Sequence, residues 1–257
     1  MSAAHAPKIP AWPPRSAPRL FVAEPIALGA SIAIEGNAAH YLGKVMRAGA
    51  GDAVVLCDDA TGEWACRVTE VAKRTITLEA VEQLRAREQV PDLWLCPALL
   101  KKDRFDLVLE KATELGVRAI RPVVTRRCVA DKLNAERARV IVTEAAEQCA
   151  RTALPDLAEP VKIDGLLRDW PADRILFFAD ELGGAPAVEA FAAHHGPAAI
   201  IIGPEGGFDD GEREAIRALP QAKAISLGPR VLRGETAAMA ATALWMGTMG
   251  DWSDNRE

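Results

Sequence analysis

Ile200-Ile201-Ile202-Gly203-Pro204-Glu205-Gly206-Gly207-Phe208 is the stretch on which the reading of this sequence turns. An apolar, β-branched run of this kind is the mark of a strand buried on both faces, as in a parallel sheet. It ends in a loop made almost wholly of glycine and proline, where a ligand can reach bare backbone. Glu205 is the loop's one carboxylate. About twenty residues on, the pattern returns: Ala224-Ile225-Ser226-Leu227 runs into Gly228-Pro229-Arg230-Val231-Leu232-Arg233-Gly234-Glu235-Thr236. Two strand-to-loop junctions so close together predict one ligand pocket built from both.

Outward from there, residues 89–250 alternate strands with helices. Strands are expected at Asp92–Ala98, Ala119–Val124, Arg174–Ala179 and around Ile225. Helices are expected at Lys102–Leu115 with Gly116 as its C-terminal cap, Ala135–Arg151, Ala187–His194, Asp210–Leu219 and Glu235–Met249. This is an α/β pattern with a mostly parallel sheet and helices on both faces. Residues 19–88 read differently. Short strands at Ser31–Ile34, Ala53–Asp58, Trp64–Val71 and Thr75–Val81, with one helix over Gly36–Arg47 capped by Asn37, predict a small β-barrel. The charged run Arg85–Pro91 marks the boundary. Residues 1–18, rich in Ala and Pro, are expected to be a disordered tail and not a signal peptide. Residues 251–257 are a second tail.

Of 257 residues, 49% are hydrophobic and 26% charged, an ordinary globular balance. The net charge of −5 excludes a generic polyanion binder. The charge is uneven: residues 91–133 carry a local +3 and residues 134–257 a local −8. That basic segment permits a nucleic-acid partner without demanding one. Cys57, Cys66, Cys96, Cys128 and Cys149 show no CxxC spacing, so buried free thiols in a reducing, cytoplasmic setting are expected rather than zinc or disulfides. No metal cluster, GxGxxG, GxxxxGK[ST] or GxSxG motif is present, and no run is long enough to span a membrane.

Gly203–Phe208 followed by Leu227–Ala237 resembles the signature of the ribosomal RNA small subunit methyltransferase E family, knotted enzymes of the SPOUT type. The likeness continues in Leu99–Arg104 with Lys111–Val117, in Glu144–Arg151, and in Arg19-Leu20-Phe21, His40-Tyr41-Leu42, Val45-Met46-Arg47 and Gly51-Asp52. It covers about residues 19–250. It implies a PUA-like N-terminal RNA-binding barrel, a C-terminal trefoil-knotted sheet, and a homodimer with its site near the subunit interface. The implied reaction is methylation of uridine N3 in 16S rRNA, free or within the small ribosomal subunit, by S-adenosyl-L-methionine. Two departures stand out: Gly234 where threonine or alanine is common, and Cys149-Ala150 where Ser-Gly is.

On that reading Gly203, Pro204, Gly206, Gly207, Leu227, Gly228 and Thr236 hold the cofactor, chiefly through backbone, and Leu232 packs on adenine. Glu205 either bonds ribose hydroxyls or supports its loop. Arg233 is the first candidate to stabilise charge on the uracil ring and also borders the cofactor; Arg151 of the facing subunit is the second. Glu235 is either a proton acceptor or simply an acid in a helix's first turn. Arg19, Arg47, Lys101, Lys102, Arg104, Arg126 and Arg127 are the candidate phosphate contacts. The small-faced last helix suits core packing and a subunit interface equally. A non-catalytic RNA-binding or ribosome-assembly factor of the same fold, and an enzyme using another nucleotide, are the rival readings.

Overall fold

Strand β13 (Ala198–Ile202) is buried at every position, and its alternation shows why the sequence is apolar without interruption. Ile200 and Ile202 enter a core with Phe105, Leu109, Phe191, Ala238 and Trp245, while Ala199 and Ile201 enter another with Phe178, Phe208, Ile163 and Ile216. Two faces covered by helices leave no position for a polar side chain. Burying each isoleucine is worth roughly 2 kcal/mol.

The structure is a computed structural model that describes residues 12–252; residues 1–11 and 253–257, parts of the two expected tails, lie outside the described residues. The chain divides into two units, one reaching Glu88 and including Ala150–Ala153, the other formed by Gln89–Cys149 and the chain from Leu154 on.

In the first unit, β1 (Arg19–Phe21), β2 (Ser31–Glu35), β3 (Ala53–Asp58), β4 (Gly62–Val71) and β5 (Thr75–Ala86) form a mixed sheet. Its order is β1-β3-β4-β5-β2, with β1 parallel to β3 and the other pairs antiparallel. Its core is built on Leu42, Leu56, Ile76 and Leu78. Trp12–Pro18 is irregular yet engaged: the Val55 N–H donates to the Pro18 carbonyl at 2.8 Å, and the Arg67 guanidinium lies 5.4 Å from the Trp12 ring centre. The expected helix is shorter and differently begun. Because β2 pairs through Glu35, the chain turns at Gly36, at φ +61°, and Asn37 is already inside α1 (Gly36–His40), so it caps nothing. A π turn over Tyr41–Val45 follows, closed by Met46 N–H on the Tyr41 carbonyl at 3.0 Å.

The second unit holds nine strands and six helices among the described residues. In order they are β6 (Leu93–Pro97), α2 (Lys102–Glu114), β7 (Ala119–Ile120), β8 (Val123–Val124), α3 (Ala135–Gln148), β9 (Asp156–Leu157), β10 (Val161–Lys162) and α4 (Ile163–Arg168). Then come β11 (Ile175–Ala179), β12 (Ala185–Pro186), α5 (Ala187–Ala192), β13, α6 (Asp210–Ala218), β14 (Ala222–Ser226) and α7 (Gly234–Thr248). Seven strands make one all-parallel sheet, ordered β12-β14-β11-β13-β6-β7-β9.

In the first unit β5 runs five residues past the expected end at Val81, and in the second unit the larger departures are three. Pro122 lacks an N–H, so the strand expected over Ala119–Val124 splits; β8 leaves the large sheet and pairs with β10. Helix α3 ends at Gln148 rather than Arg151, because Ala150 takes φ +60°. Helix α5 stops at Ala192, two residues short of His194. Cys57, Cys66 and Cys96 are buried as expected, but Cys128 is only partly covered and Cys149 is exposed. Among the described residues no helix is long and apolar enough to cross a membrane.

Candidate active site

Strands β13, β11 and β14 are neighbours, and their carboxyl ends run into three loops, at 180–184, 203–209 and 227–233. Open parallel sheets bind ligands at this edge. The three loops surround a cavity of about 170 Å³. Its apolar wall includes Ile202, Phe208, Leu227, Leu232 and Ala237; its polar wall includes Asp180, Glu181, Arg213, Ser226 and Arg230.

The glycines keep the wall thin. A Cβ on Gly203 would stand 3.0 Å from the Phe208 ring, and one on Gly207, whose φ is +67°, 2.6 Å from a Glu181 carboxylate oxygen. At Gly228, with φ +110°, a Cβ would point into open space within 4 Å, and this glycine lines the cavity. A flat, mostly apolar base with a polar sugar needs this combination of aliphatic wall and bare backbone. The residues present therefore fit an adenosyl cofactor.

Of the expected cofactor residues, Gly203, Pro204, Gly207, Leu227, Gly228 and Leu232 line the cavity. Glu205 is exposed and does not line it; neither do Gly206 and Thr236. Arg233 stands between Leu232 and Gly234, both in the lining, and its own side chain is exposed at the start of α7. Glu235 is buried two residues on, paired with Arg104, and its Oε2 has no partner. Gly234 lets α7 start close to its neighbours: a Cβ there would meet Leu100 at 3.0 Å and the Gly203 carbonyl at 3.3 Å.

The candidate phosphate contacts are less uniform than their charge suggested. Arg104 is engaged by Glu235. Arg127 donates to the Gly206 carbonyl at 2.8 Å and so braces the first glycine loop. Arg126 pairs with Asp209 at 3.1 Å, and its backbone N–H donates to Glu212 at 2.7 Å. Asp209 in turn caps α6 through a reciprocal capping box with Glu212; the Glu212 N–H, aided by Arg126, holds the Asp209 carboxyl below the usual range. Lys101 and Lys102 are exposed where α2 begins. In the first unit Arg47 is exposed with φ +56°, whereas Arg19 is largely covered, pairing with Glu63 and donating to Cys57 Sγ at 3.1 Å. Arg151 is buried 3.7 Å from Glu88.

The loop after β11 went unnoticed in the sequence, and with it Asp180, Glu181 and Arg213. The signal was there: Phe178-Ala179-Asp180-Glu181-Leu182-Gly183-Gly184 repeats the pattern of apolar strand, acid and glycine pair. Asp180 has no exposed side-chain surface and is gripped by Arg213 and Arg217, and its Oδ1 accepts from the Leu182 N–H at 3.0 Å. In the large sheet, burial pushes the Cys96 thiol up to about 12, which disfavours the reactive thiolate there.

Comparison with known proteins fits this geometry. A family model described as an RNA methyltransferase domain matches residues 87–246, and one described as an RNA methyltransferase PUA domain matches residues 34–81. Ribosomal RNA small subunit methyltransferase E of Rickettsia conorii is 31% identical over 207 residues, 79% of this chain and 84% of the relative. The chain belongs to the ribosomal RNA small subunit methyltransferase E family. Its namesake in Synechocystis is 32% identical, with 88% of this chain and 76% of that protein covered. The crystal structure of the Neisseria gonorrhoeae family member bound to S-adenosyl methionine superposes with a TM-score of 0.84 at 26% identity, covering 92% of this chain and 99% of that one. A putative methyltransferase of Legionella pneumophila with bound cofactor SAM gives 0.82 at 28% identity, covering 91% and 99%.

Proposed function

We propose that this chain transfers the methyl group of S-adenosylmethionine to N3 of a uridine in 16S rRNA. One observation carries the reading: in a member of this family, three adjacent parallel strands deliver glycine loops to one cavity with an aliphatic wall and bare backbone. The cofactor, when bound, supplies an electrophilic methyl on sulfonium. The protein's part is to bind, orient and exclude water. Leu227, Leu232, Ile202 and Ala237 offer the apolar face for adenine; backbone of Gly203, Gly207 and Gly228 takes polar edges.

Uracil N3–H is a weak acid, and its anion is the better nucleophile. Arg233, exposed beside the cavity mouth, is placed to stabilise negative charge spreading to the ring oxygens. Arg cannot take the proton. Glu235, closed in against Arg104, is read as an anchor of the first turn of α7 rather than as the base. Lys101, Lys102 and Arg47 are the phosphate contacts best supported by exposure. The target base must leave its stack to reach the donor. The same reading includes a division into an RNA-binding part at 19–88 and a catalytic part at 89–250, a homodimer and a cytoplasmic setting; Arg151, buried beside Glu88, is read as a structural residue rather than as the facing subunit's contribution.

Calorimetry with S-adenosylmethionine and mass mapping of methylated uridines in rRNA from cells with and without the protein test this. Micromolar binding and loss of one N3-methyluridine on deletion are expected. Absence of cofactor binding sinks the reading; binding with an unchanged methylation map leaves a non-catalytic RNA-binding protein.

A further inference from the structure

Among the described residues that line the cavity, Glu181 is the acid whose carboxylate is only half engaged. Asp180 beside it is closed off by two guanidiniums. Glu181 is tied by one oxygen only, Oε1, to Arg213 at 3.1 Å, and keeps 45% of its side-chain surface exposed. Among the described residues no partner takes Oε2. The carboxylate also lies directly against the bare face of Gly207, where a Cβ would stand 2.6 and 2.9 Å from its two oxygens. Only glycine at 207 admits it to this position.

The turn that presents it is built firmly. The Asp180 N–H donates to the Ile225 carbonyl at 3.1 Å, and the Gly183 N–H returns to the Asp180 carbonyl at 3.1 Å with φ of +108° at Gly183. Arg213, from α6, spans Asp180, Glu181 and the Phe208 carbonyl, so it locks the β11 loop to the first glycine loop. The result is a preorganised, charged acceptor at the end of a parallel strand, in a cavity whose lining is otherwise partly aliphatic. A vicinal diol at the end of a flat apolar base matches that pairing, and a strand-end acid is a general way to hold ribose hydroxyls.

Resting on the methyltransferase reading above, we propose that Glu181, positioned by Arg213 and admitted by Gly207, accepts the ribose hydroxyls of the adenosyl cofactor and thereby sets the site's preference for ribonucleoside ligands. The contact is to the sugar, not to the transferred methyl or the amino-acid arm. Removing it weakens binding and raises the cofactor KM, and leaves kcat at saturation nearly unchanged.

The test is calorimetry of wild type, Glu181→Ala and Glu181→Gln with two probes, S-adenosylmethionine and 5′-methylthioadenosine, which shares the ribose but lacks the sulfonium charge and the amino-acid arm. Loss of a charged acceptor predicts roughly ten- to hundred-fold weaker binding of both probes by Glu181→Ala. Glu181→Gln, which keeps one acceptor oxygen, should recover part of that. Arg213 retains Asp180 and the Phe208 carbonyl in both variants, so thermal melting should match wild type. A loss confined to S-adenosylmethionine, or no loss with either probe, overturns the proposal. Failure of the wild-type protein to bind S-adenosylmethionine is a separate result that removes the methyltransferase reading itself.

Discussion

Ala150 sits at φ +60°, in the left-handed region that costs a non-glycine residue about 1 kcal/mol. The family resemblance points to glycine at this position, and the geometry supplies the reason: α3 stops at Gln148 and the chain must reverse hand. Replacing Ala150 with glycine relieves the strain but loosens the unfolded chain, so the net gain is smaller, about 0.5 kcal/mol. Chemical denaturation of the variant should show a raised midpoint with unchanged slope; a lowered midpoint would mean that the conformation is held by something other than the turn. Arg233 provides the second prediction at this scale. Its side chain is exposed and outside the cavity lining, so Arg233→Ala should lower methyl transfer by about two orders of magnitude while S-adenosylmethionine affinity changes less than three-fold. Equal losses in rate and affinity would remove Arg233 from the catalytic role.

At the scale of elements, α2 and α7 are joined by an ion pair whose ends differ in exposure. The Glu235 side chain is 7% exposed and the Arg104 side chain 35%. Breaking such a pair is costly mainly through the charge left behind. Arg104→Met strands a buried carboxylate, one of whose oxygens already lacks a partner, and should cost about 3 kcal/mol. Glu235→Gln leaves a guanidinium that can turn to water, and should cost about 1 kcal/mol. Urea unfolding of both variants checks the order; a larger loss for Glu235→Gln reverses the argument. Both residues were singled out in the sequence, but their pairing was not legible, since Arg104 and Glu235 are 131 positions apart and contact over that distance leaves no local pattern. Unbroken apolar runs and helical period were legible: β13 falls where its run places it, and α2 where the 3.6-residue repeat does. The two-residue strands β7, β8, β9, β10 and β12 carry too few side chains to show a period. The third loop of the site carries its acid and glycine pair in the sequence, but that β11 lies between β13 and β14, and so shares their pocket, follows only from the sheet order.

Across the molecule, the two units carry separate apolar cores, and their responses to acid should differ. Asp58 is the reason. It is fully buried in the first unit and accepts from the backbone N–H groups of Ile26 at 3.0 Å and Ala60 at 2.7 Å, and from both the N–H and hydroxyl of Thr61. The Thr61 hydroxyl in turn accepts from the Trp64 indole N–H at 2.7 Å, which ties the turn to the core. Burial pushes the Asp58 carboxyl up, but the hydrogen bonds from Thr61, Ile26 and Ala60 together outweigh it and hold the group below its ordinary value. A carboxyl depressed on folding contributes stability that is complete above its unfolded pKa, near 4, and that is lost as pH falls through the lower, folded value. The first unit should therefore loosen as pH falls below the ordinary aspartate range, near 4. Asp58→Asn presents an amide N–H₂ to donors and should cost roughly 2–3 kcal/mol at neutral pH, while flattening that acid dependence. Hydrogen exchange read by mass spectrometry on β3 and β4, against β13 as internal reference, resolves the two units. Faster exchange in β3 and β4 of wild type at pH 3, and already at pH 7 in Asp58→Asn, is the expected result. Parallel acceleration of β13 in the variant at pH 7 would show that the two units unfold as one and that the Asp58 cluster does not act on its own unit alone.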